Sequence, residues 1–280
     1  MARIDVMKTY KLFIGGKFPR SESGRVYELN DAKGKFLANP CLASRKDLRD
    51  AVVAARSALS GWSSATAYNR GQILYRAAEI MQGRREQFVS ELVAQEGSTP
   101  KAAGDQVDQA IDLWVWYAGW SDKLTVLGGN ENPVSGPFYN FTTPEPLGVI
   151  GAFPDGKPSL LNLVASIASI IVSGNTAVVV ASEKFPLTAI SLAEVLATSD
   201  LPGGVVNILT GKSAEINSWM ASHMEVDGLD ASGLSSKQLT EAKIAGAENL
   251  KRIHSFDSAA SPQRILAFME SKTIWQSVGI

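Results

Sequence analysis

A chain of 280 residues, of which 45% are hydrophobic and 20% charged, is long enough to bury a substantial core. Its formal net charge of −1, from 27 basic and 28 acidic residues, supplies no long-range field that would attract nucleic acid or anionic lipid, so neither is expected as a partner. The single cysteine, Cys41, excludes an internal disulfide and a cysteine metal cluster, and no metal site is expected.

The most apolar segment, from Leu160 to Val180, approaches the length of a membrane span. Gly174 and Asn175 interrupt it, which favours an apolar helix followed by a buried strand. The first residues, "MARIDVMKTYKLFIGGKF", contain no apolar run long enough for the core of a signal peptide. We therefore expect a cytoplasmic protein without a membrane segment.

The first 126 residues divide into two patterns. Short apolar runs alternate with turns between residues 10 and 40, which predicts two or three strands in a meander. Ser44, followed three residues later by Asp47, then predicts the start of a helix. Apolar residues at helical spacing continue from there, so three or more helices are predicted between about residues 44 and 124.

Residues 127–148 are rich in glycine, proline and asparagine around the segment "FYNFTT". This composition favours a protruding hairpin or connector over core. At the other end of the chain, the apolar segment "KTIWQSVGI" predicts a strand with no strand after it in sequence. It must pair with an earlier sheet edge or with another subunit, because an unpaired apolar edge is an association site.

Strand and helix patterns alternate regularly from Gly148, beginning with "GVIGAF", "SLLNLVASIASIIVSG" and "TAVVVAS". The alternation continues through "GVVNILTG" to a weak strand at "VDGLDAS". Regular alternation predicts parallel strands with right-handed helical crossovers, which is a doubly wound α/β domain. Ligands of such sheets bind at the carboxyl ends of the strands.

Neither of the usual nucleotide-binding glycine motifs, G-x-G-x-x-G and G-x-x-x-x-G-K-[ST], occurs in the sequence. Two glycines that each precede a helix, Gly211 and Gly233, are candidates for phosphate-binding turns, since N–H groups at the start of a helix attract anions. The alternative is that both belong to ordinary loops between strands and helices, and the sequence leaves that alternative open.

The order of these segments resembles the aldehyde dehydrogenase superfamily over nearly the whole chain. The resemblance is carried by "YKLFIGGKF", "NRGQILYRAAEIM", "PEPLGVIGAF", "SGNTAVVVASEKFPLTA", "LPGGVVNILTG" and the tail "KTIWQSVGI". It implies a Rossmann-type cofactor domain with a helical N-terminal part and oligomerisation strands. The implied division is an N-terminal part of that domain (1–126), an oligomerisation hairpin (127–147), the Rossmann-like half (148–258), and a C-terminal helix and oligomerisation strand (259–280).

The resemblance also implies a mechanism in which a cysteine thiolate attacks an aldehyde, hydride passes to NAD(P), and a glutamate base activates the water that cleaves the thioester. In the family a catalytic domain carries the cysteine, whereas here about twenty residues separate "NLKRI" from the tail strand. Cys41 lies far from any such position in sequence. Lys157 stands at the family's oxyanion-binding asparagine and Phe256 at its general base, and Phe256 cannot accept a proton.

The family's cofactor turn, lysine-proline-serine-glutamate, corresponds to Val180, Ala181, Ser182 and Glu183. The cation is lost, while Ser182 and Glu183 remain as candidate cofactor contacts, and the acidic Glu183 would favour a free ribose over a 2′-phosphate. NAD, weakly bound, is the one cofactor that the resemblance implies.

The family's second cofactor turn, phenylalanine-threonine-glycine-serine, corresponds to Ala231, Ser232, Gly233 and Leu234. Gly233 would permit close approach of the backbone to a ligand. Leu234, however, replaces the serine expected at the start of the following helix.

Three functional hypotheses follow from the resemblance. The first is a pseudoenzyme that forms a homo-oligomer, or a hetero-oligomer with a full-length aldehyde dehydrogenase that supplies the cysteine. The second is an NAD-binding oxidoreductase, oxidising aldehyde to acid, with weak or partner-dependent activity. The third is a degenerate product without a selected role.

Overall fold

The computed structural model describes residues 7–279. The longer helices are α1 (Arg45–Ser64), α2 (Ala67–Gly83), α3 (Arg85–Glu96), α4 (Pro100–Ala118), α6 (Ser159–Val172), α7 (Leu187–Leu196), α8 (Ser213–Ser222) and α9 (Ser236–Gly246), and the short ones are α5 (Leu124–Gly128) and α10 (Pro262–Leu266). The strands are β1 (Leu29–Asn30), β2 (Phe36–Ala38), β3 (Asn130–Glu131), β4 (Phe138–Pro146), β5 (Val149–Ala152), β6 (Thr176–Val180), β7 (Val206–Leu209), β8 (Gly228–Asp230), β9 (Arg252–His254) and β10 (Met269–Ser277).

Helix α1 begins where the sequence predicts, at a reciprocal cap between Ser44 and Asp47. The Ser44 hydroxyl accepts from the Asp47 backbone N–H at 3.2 Å, and the Asp47 carboxylate accepts from the Ser44 N–H at 2.8 Å. Such a box satisfies two N–H groups that the helix itself leaves unpaired. With α2, α3 and α4 following, the predicted helical region between residues 44 and 124 is confirmed.

The central sheet has five parallel strands in the order β7-β6-β5-β8-β9. This order reverses direction at β5, which pairs with β6 on one side and with β8 on the other. Crossover helices link the strands along the chain, so the predicted doubly wound α/β fold is confirmed. All five strands end at one edge, and the loops that follow them are the places to look for a site.

The two faces of the sheet are covered by different helices. Ala177 and Val179 of β6 pack into the core cluster that contains α2, α4, α6 and α7. Val178 and Val180 point the opposite way, into the cluster formed with α1 and α8. A strand buried on both faces is apolar throughout, which explains the uninterrupted "TAVVV" of the sequence.

A second sheet, in the order β10-β4-β3, is antiparallel and lies outside the parallel sheet. Strand β10 pairs with β4 over nine residues, from Met269 opposite Pro146 to Ser277 opposite Phe138. The tail strand therefore pairs with an earlier edge of its own chain, which was one of the two expected arrangements.

The N-terminal segment contains two of the two or three predicted strands. The short β1 and β2 pair antiparallel in a sheet of their own. The first apolar run forms no strand: Phe13 makes an isolated antiparallel bridge to Ile208 of β7 instead. Gly15 and Gly16 both have positive φ angles, of 60° and 77°, which breaks any strand at that point.

In the part of the chain that the structure covers, no helix combines the length and the apolar character needed to cross a bilayer.

Candidate functional site

The turn after β6 holds the first two predicted cofactor residues, Ser182 and Glu183. Ser182 is half-buried and Glu183 is exposed. Glu183 lines a cleft of about 430 Å³ together with Tyr27, Lys157 and Phe185. Within residues 7–279 its carboxylate makes no hydrogen bond or ion pair, so it is available to accept a hydroxyl from a ligand.

Tyr27 also lines this cleft. Its hydroxyl is buried and has no hydrogen-bond partner in the described part of the chain. Burial is the main cause that raises the pKa of Tyr27, and the negative charge of Glu183 is the second cause. The phenol therefore stays protonated and can act only as a neutral donor or acceptor. Sequence reasoning missed Tyr27, since nothing in "GRVYELN" relates it to a turn more than 150 residues later.

Val180, at the position of the family's cation, is 2% exposed and packs into the α1/α8 cluster. No cation from β6 itself therefore reaches the cleft. Lys157 is close by but occupied: its Nζ donates to the Glu96 carbonyl oxygen at 2.7 Å and lies 4.8 Å from the centre of the Phe185 ring. The Lys157 ammonium is therefore already engaged within the protein.

Gly233, the third predicted residue, is packed against protein backbone on the side where a Cβ would stand. A Cβ on this residue would lie 2.4 Å from the Pro154 carbonyl oxygen, and the Gly233 N–H donates to the Phe153 carbonyl oxygen at 2.7 Å. The glycine allows the loop after β8 to pack on the loop after β5. The prediction that Gly233 permits close approach is thus right about the backbone, but the approaching group is protein.

Gly211, the fourth predicted residue, follows β7 and has a φ angle of 145°, which favours glycine. A Cβ here would lie 3.2 Å from the Ala43 backbone nitrogen. Gly211 therefore contacts the N-terminal segment. Its loop follows β7, the strand next to β6, and Glu183 lies in the loop after β6. The structure does not gather the four predicted residues around one cavity.

The helices that begin at this edge have side chains on their first N–H groups. Glu96 accepts from the Ser159 N–H at 2.9 Å and Gln106 from the Leu160 N–H at 3.0 Å, at the start of α6. At the start of α7, Gln95 accepts from the Leu187 N–H at 2.8 Å. Internal capping of this kind occupies the donors that would hold a phosphate.

Helix α9 also has a side-chain cap, and this corrects the expectation about Leu234. The helix begins one residue later than the family pattern predicts, with Ser235 as the cap and Gln238 completing a reciprocal capping box. Ser235 restores the function of the serine that is missing at Leu234. Helix α8 begins without a side-chain cap, but Glu215 in its first turn would repel a phosphate.

The carboxyl edge of the parallel sheet therefore suits the ribose of a dinucleotide but not its pyrophosphate. Glu183 can accept hydrogen bonds from ribose hydroxyls, whereas the N–H groups that a pyrophosphate requires are largely bonded internally. We conclude that the residues present do not form a complete dinucleotide site.

A second cleft, of about 230 Å³, lies at the ends of β8 and β9 and is lined by Asp155, Phe256 and Arg264 among others. Phe256 occupies the position of the family's general base and stacks under the Arg264 guanidinium, whose central carbon lies 4.5 Å from the ring centre. Burial is the main cause that raises the pKa of the Asp155 carboxyl, and the negative charge of Asp230 is the second cause.

Arg264 fills the floor of this second cleft through a buried ion pair with Asp230, the last residue of β8. Its Nη2 atom lies 2.7 Å from Asp230 Oδ2, and the Ser166 hydroxyl donates to the same oxygen at 2.6 Å. Short helix α10 carries Arg264 into this place. Sequence reasoning missed the pair, since the partners are 34 residues apart and no motif links them.

Cys41 cannot act at this cleft. It is buried, and its carbonyl oxygen accepts from the Thr210 hydroxyl directly after β7. Strand β7 is at one edge of the sheet and β9, which leads to Phe256, is at the other. Four strand spacings separate them, or about 19 Å.

Sequence comparison relates the chain to known proteins over most of its length. The model described as "Aldehyde dehydrogenase family" matches residues 18–273. Human retinal dehydrogenase 2 is 32% identical over 267 residues, covering 93% of this chain and 51% of that protein. Cytosolic aldehyde dehydrogenase 1 of Elephantulus edwardii is 32% identical over 249 residues, covering 87% and 49%. The chain spans about half the length of the curated relatives it matches.

Solved structures agree with this relationship. The NAD+ complex of an aldehyde dehydrogenase from Bacillus cereus matches with a TM-score of 0.82 and 26% identity, over 88% of this chain and 50% of that one. An NAD-dependent aldehyde dehydrogenase from Sinorhizobium meliloti matches with a TM-score of 0.81 over 89% and 50% of the two chains. At 24% identity, the second match shows the fold alone.

Proposed function

This chain belongs to the aldehyde dehydrogenase family, and on that premise we propose that it is a non-catalytic member whose role is assembly. Its partner is a second copy of itself or a full-length aldehyde dehydrogenase. The single observation that carries the proposal is the nine-residue pairing of β4 with β10, which builds an extended sheet outside the parallel sheet.

The sheet of β3, β4 and β10 has the surface expected of an interface. Trp275 is 60% exposed, and its ring centre lies 5.8 Å from that of Phe138 on the same face. On the other face, the rings of Tyr139 and Phe141 lie 5.3 Å apart. Clusters of exposed aromatic side chains are typical of interface centres.

The outer edge of β10 supports the proposal as well. Among the described residues β10 pairs only with β4, so its other edge presents backbone N–H and C=O groups over nine residues. Long exposed edges tend to pair with a strand of another chain. A partner strand added there would continue the sheet across the interface.

Two features of the second cleft support the non-catalytic part of the proposal. Phe256 takes the place of the general base, and the Arg264–Asp230 pair fills the floor beneath it. The Phe256 ring has no atom that can take a proton from water, and the Asp230 carboxylate already accepts hydrogen bonds from Arg264 and Ser166.

The assembly proposal is tested by measuring mass in solution by light scattering over a range of dilutions. We expect a homo-oligomer, or a stable mixed complex when a full-length aldehyde dehydrogenase of the same organism is added. The double variant Phe138→Ser/Trp275→Ser should shift either assembly to monomer. The matched control is Tyr68→Ser, an aromatic residue of α2 that is 73% exposed.

A monomeric mass at every concentration, both alone and with the full-length enzyme, would overturn the proposal. Equal dissociation in the Tyr68→Ser control would also contradict it, because Tyr68 lies on α2 and not on this sheet.

We further propose that NAD binds weakly and without a complete site. Glu183 is the group that would contact it, through the ribose. The capped starts of α6, α7 and α9 argue against a firmly held pyrophosphate.

A further inference from the structure

A groove of about 870 Å³ runs between the start of α1 and the end of α8. No residue that lines this groove also lines the cleft that holds Glu183. None of the residues lining the groove belongs to β3, β4 or β10. The groove is therefore separate from both the cofactor cleft and the proposed assembly sheet.

Basic residues outnumber acidic ones along the groove, in a protein whose net charge is −1. Four basic residues line it, against a single acidic one: Arg25, Arg45, Lys46 and Arg49, with Glu22. The acidic residue is already neutralised, since Lys46 Nζ lies 3.3 Å from Glu22 Oε2. Within residues 7–279 Arg45 makes no ion pair, and Arg25 bonds only to the Ser23 hydroxyl.

The floor of the groove is apolar. Leu48 is buried beneath it, Trp219 is half-buried and packed on the α1/α8 cluster, and Met224 stands at the rim with 60% of its surface exposed. Apolar anchoring positions surrounded by a charged rim are the usual anatomy of a protein interface.

We propose that this groove docks an acidic segment of a partner protein, with one apolar side chain of that segment seated on Trp219 and Met224. The argument is charge complementarity: carboxylates of the segment would neutralise Arg25 and Arg45, whose guanidinium groups form no ion pair within residues 7–279. The open groove accommodates an extended or helical segment that crosses it.

Extended polyanions fit this surface less well than a short acidic segment. Arg49 is flanked by Asp50, to which it is bonded at 3.0 Å, and Arg56 further along α1 is paired with Glu225 at 2.9 Å. The cationic surface is therefore bounded by carboxylates, which would repel a nucleic acid strand or an anionic membrane that continued past it.

The probe for the test is a fluorescein-labelled synthetic peptide of glutamates with one central leucine, and binding is followed by fluorescence anisotropy. We expect saturable binding that weakens as salt is raised. Replacing the glutamates by glutamine, or the leucine by serine, should each reduce the affinity by about tenfold or more.

The protein variants are Arg45→Glu/Arg49→Glu and Met224→Ser, with Lys101→Glu as the control. Each of the first two should weaken peptide binding by about tenfold, because a rim charge or an exposed anchor is lost. Lys101 is exposed at the start of α4 and does not line the groove, so Lys101→Glu should bind as the unaltered protein does. Glutamate near the start of a helix is favoured, so the charge-reversed chains are expected to fold.

Three results would overturn the inference. One is the absence of peptide binding at low salt, and another is equal loss in the Lys101→Glu control. The third is preferential binding, through the same arginines, of single-stranded RNA or of phosphatidylserine vesicles, which would assign the groove to a different class of partner.

Discussion

Arg264 and Asp230 form an ion pair whose side chains are only 4% and 1% exposed, with 2.7 Å between Nη2 and Oδ2. The pair joins α10 to the end of β8 and, through Ser166, to α6. Strand β10 begins three residues after α10 ends. The pair therefore fixes the direction in which the tail strand leaves the parallel sheet.

Breaking this pair from one side should be strongly destabilising. Asp230→Asn leaves a buried guanidinium without its counter-charge, and Arg264→Met leaves a buried carboxylate, so each should lower the free energy of unfolding by about 3–5 kcal/mol. Urea denaturation measures the change. The double variant Asp230→Asn/Arg264→Met should recover part of the loss, because no buried charge remains uncompensated.

The control for this pair is an exposed one on the second sheet. Lys272 Nζ lies 3.0 Å from Glu145 Oε1, and both side chains are about half exposed. Lys272→Met should change the free energy of unfolding by about 0–1 kcal/mol. If Asp230→Asn costs no more than Lys272→Met, the buried pair does not hold α10 in place.

Gly233 should not tolerate alanine. The added Cβ would meet the Pro154 carbonyl oxygen at 2.4 Å, so the loops after β5 and β8 must move apart. We expect a loss of about 1–3 kcal/mol in the free energy of unfolding, measured by urea denaturation. Gly61 of α1, with no atom near its Cβ position, is the control: Gly61→Ala should stabilise by about 0.5–1 kcal/mol.

Equal effects of the two glycine substitutions would contradict the packing role of Gly233. A ligand-binding role would show a different result, in which Gly233→Ala leaves the unfolding midpoint unchanged and alters only NAD binding.

NAD binding is expected to depend on Glu183. Isothermal calorimetry with millimolar NAD should detect weak binding to the unaltered chain, and Glu183→Ala should abolish it, since a carboxylate that accepts from ribose hydroxyls is lost. Glu28 lines the same cleft and is also exposed, so Glu28→Ala is the matched control for a change of net charge. If the unaltered chain shows neither heat nor a shift in melting temperature with NAD, this cleft is not a cofactor site.

Much of the fold could be predicted because local patterns determine it. The five-residue run "TAVVV" is a β6 buried on both faces, and Ser44 with Asp47 starts α1 where expected. The first apolar run, around residues 10–18, does not form a strand because Gly15 and Gly16 take backbone conformations that a strand excludes. Apolar alternation alone does not reveal positive φ angles.

The candidate site was predicted less well, because its outcome depends on contacts between distant segments. Ser182 and Glu183 were proposed from their match to the family's cofactor turn, and the structure places them directly after β6 at the edge of the sheet. Gly233 instead serves the Pro154 loop, and Tyr27 reaches the cleft from the N-terminal segment. Such relationships are set by the packing of the whole chain, and no local spacing records them.

The stability of the protein should rise with pH above about 8 because of Lys251. Burial, opposed by the charge of Asp227, lowers the pKa of Lys251 from 10.5 to about 8. The unfolded chain then binds more protons than the native chain between these two values, so the free energy of unfolding increases as the pH rises through them. Lys251→Met should remove this increase, as seen by comparing urea denaturation midpoints of the two proteins across that range.

Lys243→Met is the control, since Lys243 is exposed on α9. A Lys251→Met protein that follows the same pH profile as the Lys243→Met protein would show that Lys251 is not the group responsible.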